Sequence, residues 1–569
     1  MKKSVLSLIL LAGLLACNRV IDELSDEGIP NTETNGQDKE EPFATHPKDT
    51  VFANAVVISY AAAGVSVSNP YDGKGISVAT NGGSVTVHST LSGVTVHYVL
   101  TGTHHNGSFR IYSDATFVIG LNGIDLICSD GPAINIQSRH EASLLLVGGT
   151  DNRMIDNNLY ADDPEDRKAT IFSEGGLDFC GTGRLILKGY YKHAICSDDY
   201  VRVSGGNIEI LSAYKDGIHA NELIAVYGGN LCVNAIDDGI ECEDGNVEIE
   251  GGDISVQTTG DAGYNTEKAD ISSSAGIRCS GNFSMAKGNL LITSTGVAGK
   301  GISIDGDLTV NDGFVHITTT GQQFRYDRDD SSAKGMKAEG NLTVNGGTIR
   351  ILTSTTGAEG MESKQTLTIN DGTIEIDAWD DAINAGSQIS LTGGRIYAYS
   401  DTNDGIDSNG PLSLAGGTVV ASGSTSPEEG IDCDRNTLKI TGGTVVSVGG
   451  TSSTPTVAVC TQPSVLYGGT ASAGQLVHIQ SANGAEVFTF KIPRNYTQMT
   501  MLFSALGITM GEAYSLCTDG SMAGGTDFHG LYSGGSYASG TPAYSFTVAS
   551  MLTSLGNPSV GMGGGGRPW

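Results

Sequence analysis

One pattern returns ten times through the middle of the chain: Gly-Ile or a close variant, a few polar residues, an alternating strand, a tight Gly-containing turn, and a second alternating strand. Its apolar anchors are Ile195, Ile218, Ile240, Ile277, Ile302, Met336, Met361, Ile383, Ile406 and Ile431, at successive spacings of 23, 22, 37, 25, 34, 25, 22, 23 and 25 residues. A unit this short cannot bury its apolar face alone, so the copies must stack. Gly205-Gly206, Gly228-Gly229, Gly346-Gly347 and Gly442-Gly443 keep the same phase and suit tight turns that need φ > 0. Strands such as Leu342-Thr-Val344 and Ile349-Arg-Ile351 put their aliphatic residues on one face. Leucine-rich repeats have a similar period, but their leucine and asparagine ladder is missing. The pattern therefore predicts an all-β chain: a right-handed parallel β-helix over 51–464 with N-terminal cap coils. A small β-rich cap is expected over 465–550, covering the last open edge, and a Gly-rich flexible tail over 551–569.

A stacked fold also accommodates a length of 569 residues, since each coil adds its own slice of core where a single globular core stops growing at about 250–300 residues. The 63 acidic side chains outnumber the 32 basic ones, for a formal charge of −31. That balance argues against nucleic acid as partner, because phosphates would be repelled. It suits cations, neutral polymers, or acidic polymers bridged by cations.

At the N-terminus, Lys2 and Lys3 precede an apolar run from Ser4 to Ala16 and then Cys17. A charged start, a short apolar stretch and small residues before a cysteine predict a lipoprotein signal over 1–17, lipidated at Cys17. Residues 18–50 read as a polar tether. The expectation is an outer-membrane lipoprotein, displayed at the cell surface or on the periplasmic face, monomeric and touching the membrane only through its lipid. The other nine cysteines form no CxxC pair and mostly sit in strand-like alternations, which reads as buried thiols.

Stacking brings residues that are distant along the chain onto common columns. The residue before each Gly-Ile reads His193, Asp216, Asp238, Ala275, Lys300, Lys334, Glu359, Asp381, Asp404 and Glu429, and this column is expected to face outward. The residue after the anchor reads Cys196, His219, Glu241, Arg278, Ser303, Lys337, Glu362, Asn384, Asp407 and Asp432. Between Glu359 and Cys460 there are 14 acidic residues against 4 basic ones. Like charges about 4.8 Å apart repel by about 1 kcal/mol in water and about 3.5 kcal/mol at an effective dielectric of about 20. Such a column calls for a cation, and calcium accepts irregular sets of about six to eight oxygens. Two ligand groups are expected: Asp237, Asp238, Glu241 and Glu243, and a richer one of Asp380, Asp381, Asp404, Asp407, Glu428, Glu429, Asp432 and Asp434. A solvated acidic face with no ion is the alternative.

Two coils carry inserts of about ten residues, Asp261–Ser274 with Tyr264 and Gln322–Ser332 with Phe324, Arg325, Tyr326 and Arg328. Both leave the same corner of the repeat. Aromatic faces stack on sugar rings and guanidinium groups pair with carboxylates, so these residues, with Arg278, Lys334 and Lys337, are the candidate glycan contacts. The bland alternative is a pair of surface loops.

Gly123-Ile-Asp-Leu, Gly131-Pro-Ala-Ile134, Ala169-Thr-Ile-Phe-Ser173, Gly189-Tyr-Tyr-Lys-His-Ala-Ile195, the Asp-Gly-Ile coils and Ser332-Ala-Lys-Gly-Met336 occur in that order. In this the chain resembles bacterial β-helical carbohydrate-binding domain proteins, a lipoprotein-containing family related in fold to calcium-dependent polysaccharide lyases. The resemblance runs from about residue 55 to the C-terminus. It implies binding of cellulose or of acidic sugars such as polygalacturonate, with calcium on the coils. Three functions follow as expectations. The first is a non-catalytic surface module that binds polysaccharide. The second is a lyase in which Lys300, Lys334 or Lys337 abstracts a proton beside a calcium-bound uronate. The third is a structural or adhesive rod.

Overall fold

The computed structural model describes residues 52–267 and 269–561. The signal segment, Cys17 and the tether lie outside the described residues, as do residues 562–569 of the expected tail. Among the described residues there is no helix, and hence none long and apolar enough to cross a membrane. The described residues divide into two compact units, one running to Gly260 and taking in Ser274–Thr293, the other Asp261–Ser273 with the residues from Ser294 onward.

The first unit opens with two antiparallel hairpins, Val56–Ala61 with Gly64–Ser68 and Ile76–Asn81 with Gly83–Ser89. These give way to parallel pairing, Val56–Ala61 on Val96–His104 and Gly83–Ser89 on Gly107–Ser113. From there each coil contributes three short strands, every one hydrogen-bonded to its counterpart in the next coil. The coil Ile218–Ala220, Leu223–Val226, Asn230–Ala235 lies in this way on Ile240–Cys242, Asn246–Ile249, Asp253–Thr258. The fold is a parallel β-helix. Alternation does the sorting: Leu231, Val233, Ile254 and Val256 point inward and are at most 2% exposed, while their chain neighbours face out.

The anchors stack in register, Ile134 to Ile171 to Ile195 to Ile218 to Ile240 to Ile277, all fully buried. Beside them Ala220, Cys242 and Cys279 form a column of small inward side chains. Eight cysteines of the described residues are buried free thiols. Glycine precedes the anchor for a steric reason. A Cβ on Gly239 would lie 2.1 Å from Val256 Cγ1 and 2.6 Å from the Gly276 carbonyl. The turn glycines answer a conformational need instead, Gly229 having φ of 87°.

The second unit repeats the scheme. Glu359–Ser363, Thr366–Ile369 and Thr373–Ala378 lie on Ile383–Ala385, Gln388–Leu391 and Arg395–Ser400. Ile302, Met336, Met361, Ile383, Ile406 and Ile431 stand on one column in this unit. The stack ends at Thr444–Gly449, whose free edge pairs antiparallel with Tyr496–Ser504. That strand also pairs with Ser464–Ala471, and a second antiparallel sheet contains Leu476–Ser481, Glu486–Lys491, Ala513–Thr518 and Thr541–Thr547. Phe488, Phe490, Tyr496, Met501 and Phe503 fill the space beneath it. An edge that would template aggregation is thus closed by strands of opposite direction. One correction concerns the tail. Leu552–Gly556 forms a strand parallel to Ser464–Ala471, and Val560 bridges Ser452, so the segment to 561 belongs to the cap. Its glycines suggest flexibility, but Leu552–Gly556 finds an open strand to pair with.

The steric account of Gly239 is testable. Gly239→Ala should cost about 1–3 kcal/mol of unfolding free energy in denaturant titrations, because the methyl group overlaps a packed valine and a carbonyl. Gly228→Ala should change little, since a Cβ there meets nothing nearer than the Ser204 carbonyl at 3.9 Å. Equal effects at the two positions would refute it.

Candidate functional site

The column before the anchors does not face outward as expected. His193, Asp216, Asp238, Lys300, Glu359, Asp381, Asp404 and Glu429 are all 9% exposed or less. Each carboxylate in a run of aspartates turns along the stack and accepts the backbone N–H of the next coil. Asp216 Oδ1 takes that of Asp238 at 3.2 Å, and Asp238 Oδ1 that of Ala275. In the second unit Asp381 Oδ1 takes that of Asp404 at 3.0 Å, and Asp404 Oδ1 that of Glu429. One oxygen of each aspartate is therefore committed to holding coils together, and the other is left to the site.

In the first unit those second oxygens meet cations. Asp216, fully buried, brings Oδ2 to 2.9 Å from His193 Nδ1, 3.3 Å from His219 Nδ1 and 3.2 Å from Lys215 Nζ. The His193 contact is short but misdirected, and its buried Nδ1 makes no hydrogen bond. His219 Nδ1 is 3.0 Å from Glu241 Oε2, and its Nε2 is 3.5 Å from Glu243 Oε2. The two imidazoles stack at 4.4 Å, with Cys196 Sγ within 4.8 Å of donor atoms on both. Burial alone would raise the Asp216 carboxyl, but the two imidazoles set against it hold it well below the usual range. Burial opposes a charge on His219, yet Asp216 and Glu241 override it and push the imidazole up to about 9. Burial prevails at His193, which falls to about 4. Asp238 Oδ2 is taken by Arg278 Nε at 2.8 Å. Of the four ligands expected here, Asp237 and Asp238 approach Asp216, and Glu241 and Glu243 approach His219. The sequence reading missed Asp216, His193 and His219 as members, although their places in the two columns were the available signal.

In the second unit the cations run out. Lys334 Nζ sits 2.6 Å from Glu359 Oε1 and 3.4 Å from Glu362 Oε2, and Lys364 Nζ lies 2.5 Å from Glu362 Oε1. Burial would raise Glu362, but Lys334 and Lys364 hold it down to about 2. Two coils on, Asp404, Asp407 and Asp432 bring carboxylate oxygens within 4.8 Å of one another. Burial and the neighbouring charges of Asp432 and Asp434 push Asp407 up to about 8. Burial and Asp432 push Glu429 up to about 8 as well, and Asp381 and Asp404 rise well above the carboxylate range for the same reasons. Two more oxygens are buried without hydrogen bonds, Asn384 Oδ1 and Glu429 Oε2. Asn384 stands between Glu362 and Asp407 in their column. Asp380, Glu428 and Asp434 line the half-buried rim of the same coils. The donor set is all oxygen, which fits calcium.

The inserts fold as antiparallel hairpins, Gly263–Asn265 with Asp270–Ser272 and Phe324–Tyr326 with Asp329–Ser331. Tyr264 and Tyr326 stack face to face at 4.0 Å, with Tyr326 47% exposed. Lys300 ties the hairpin bases together, its Nζ donating to Ser273 Oγ at 3.1 Å, Ser331 Oγ at 2.9 Å and the Ala298 carbonyl. Phe324 is half-buried, while Arg325 and Arg328 are exposed, Arg325 bonding Gln323. Lys337 pairs with Glu339 at 2.6 Å. The three candidate lysines are thus each engaged by partners of the protein itself. A further groove of about 730 Å³ holds Glu375, Arg395, Tyr397, Lys491, Asp527 and His529. His529 stacks on Tyr397 at 3.6 Å and covers its face. Nothing in the sequence brings positions 375–397 and 527–529 together.

A sequence profile described as that of carbohydrate-binding domain-containing proteins matches residues 81–359 and 352–405, more than half of the chain. A carbohydrate-binding domain-containing protein of Acetivibrio thermocellus is 28% identical over 114 residues, 19% of this chain, and the match spans 40% of that relative's length. A solved structure, that of the polysaccharide lyase-like protein from C. thermocellum in a gadolinium derivative, is similar over 51% of this chain and 96% of its own, with 21% identity and a TM-score of 0.35.

The crowded carboxyls make stability depend on pH in a defined direction. Asp407 rises from an ordinary 3.8 to about 8 and Glu429 from 4.5 to about 8. Their folded-state values lie above the unfolded ones, so the stabilisation linked to their protons is complete below about pH 4 and is lost as pH rises to 8. In chelator, Asp407→Asn should therefore raise unfolding free energy at pH 8 by about 1–3 kcal/mol and change it little at about pH 4. Melting curves at the two pH values check this, and an unchanged or lower stability at pH 8 would contradict it.

Proposed function

The chain belongs to the family of carbohydrate-binding domain-containing proteins, and from that premise we propose that it binds an extended polysaccharide of the cellulose or uronate type without cleaving it. In this reading calcium occupies the oxygen cluster of the second unit, with Asp404, Asp407 and Asp432 as its core and Asp381, Asn384 and Glu429 as further donors. Bound there, calcium would neutralise the acidic coils and offer a positive centre to sugar hydroxyl or carboxylate oxygens. The single observation that carries the proposal is the in-register crowding of Asp404, Asp407 and Asp432, whose carboxylate oxygens lie within 4.8 Å of one another beside the buried, unbonded Asn384 Oδ1 and Glu429 Oε2.

The Tyr264–Tyr326 platform supports a polymer ligand. Its hairpin Phe324–Tyr326 with Asp329–Ser331 joins the coil of Lys334, and the acidic coils follow in the same unit at about 4.8 Å each. Platform and acid cluster both sit where the chain enters the Gly-Ile strands. A linear glycan laid along the stack would meet the aromatic faces and then the cation-bearing coils. The calcium expectation for Asp237, Asp238, Glu241 and Glu243 gets no such support, because Arg278, Lys215 and His219 already face those carboxylates. The lyase reading needs a free amine, whereas Lys334 is half-buried against Glu359 and Glu362, and both carboxylates hold its proton in place.

The test is co-sedimentation with cellulose and with pectate, in calcium or chelator, while ultraviolet absorbance of unsaturated product is followed. Retention on at least one polymer without product is expected, weakened about 10-fold in Tyr326→Ala. Calcium-dependent retention is expected to disappear in a double Asp404→Asn, Asp407→Asn variant. Product that forms with the wild-type chain and is lost in Lys334→Ala would replace this proposal with the lyase.

A further inference from the structure

The first unit holds a second cluster whose chemistry differs from the oxygen site. We propose that His193 Nδ1, Asp216 Oδ2, His219 Nδ1 and Glu241 Oε2 form a binding site for a divalent transition metal of borderline hardness, with zinc as the representative ion.

Donor spacing is the first support. Tetrahedral zinc with bonds of about 2.0–2.1 Å places its donors about 3.3 Å apart. Here Asp216, His219 and Glu241 bring one donor atom each within 4.8 Å of one another, with Asp216 to His219 at 3.3 Å and His219 to Glu241 at 3.0 Å, and His193 Nδ1 adjoins this set 2.9 Å from Asp216 Oδ2. The second support is independent of spacing. His193 is 3% exposed, and its Nδ1 faces this cluster with no hydrogen bond, a cost the fold would otherwise carry for nothing. The third is ligand type: two imidazoles with two carboxylates suit zinc and its neighbours, whereas calcium prefers oxygen alone. Support from outside the shell is present too, since Asp216 Oδ1 is fixed by the Asp238 amide at 3.2 Å.

Lys215 is the competitor. Its ammonium lies 3.2 Å from Asp216 Oδ2 and 3.6 Å from Glu241 Oε2. The side chain is 43% exposed, so it can swing into solvent as the ion enters.

The experiment uses the full chain, stripped with chelator and desalted, with zinc alone as titrant in calorimetry and cobalt alone as a spectroscopic probe. We expect one zinc ion at this site that excess calcium does not displace, and a visible cobalt band. His193→Gln and His219→Gln should each weaken zinc binding by more than about 100-fold and abolish the band, while Lys215→Ala should strengthen binding by about 10-fold. Circular dichroism of the metal-free variants identifies any that fail to fold, and the cobalt band of the wild-type chain, with the Lys215→Ala gain, then decides. No zinc binding by the wild-type chain, or undiminished binding in folded His193→Gln and His219→Gln, would overturn the site. Because the test uses neither calcium nor sugar as ligand, its failure leaves the polysaccharide proposal standing, and the reverse holds equally.

Discussion

Register is the constraint on which everything else rests. In each unit a strand hydrogen-bonds to its counterpart in the next coil with no slip along the Gly-Ile ladder, Ile218 on Ile240 and Met336 on Met361. A side chain in such a stack has its own column-mates about 4.8 Å above and below. For an isoleucine this is favourable at every step, since each copy buries another slice of apolar surface. For a glycine of the turn it is permissive. For a carboxylate it is a problem that must be solved coil by coil, because neither charge can move away without breaking the ladder.

The backbone supplies half of the solution. Aspartates at the entry to the ladder strand accept the amide of the next coil, which stabilises the charged form and fills a donor that a turn would otherwise leave bare. The other half comes from substitution along the column. From Cys196 to His219 to Glu241 to Arg278 the chain alternates donor and acceptor chemistry. Lys334 does the same for Glu359 and Glu362. Beyond them the column reads Asn384, Asp407, Asp432, and the alternation stops.

Much of this was legible beforehand. The period, the anchors and the small-residue column follow from a repeat that any reader can align, since register converts sequence spacing directly into spatial adjacency. Asp404, Asp407 and Asp432 were found in that way. Burial was not legible. The column of Asp216 and Asp404 looked like an exposed face because charged residues are usually exposed, and the backbone amides that draw it inward leave no trace in composition. His193 and His219 were overlooked for a related reason: as isolated histidines they carry no motif, and only the fold of Asp216 against both gives them meaning. The groove beside Tyr397 lay beyond reach, since the cap returns to the coils through antiparallel strands that no repeat announces.

The contrast between the two clusters bears on how binding and folding are coupled. Where Lys215 and Arg278 already stand among the carboxylates, the protein's own cations fix the charge balance and the coils are stable as folded. Where Asp404, Asp407 and Asp432 face one another, burial and like charge favour the protonated forms of Asp404 and Asp407, and on the proposed reading a metal ion would relieve the same crowding. A ligand that binds only the folded state stabilises it by mass action, so the acidic coils would be tightest when loaded. On the proposed reading that loading also decides which glycan can approach: an acidic polymer is repelled by bare carboxylates and admitted by a bound cation, while a neutral one is indifferent to the ion and depends on the tyrosine platform alone.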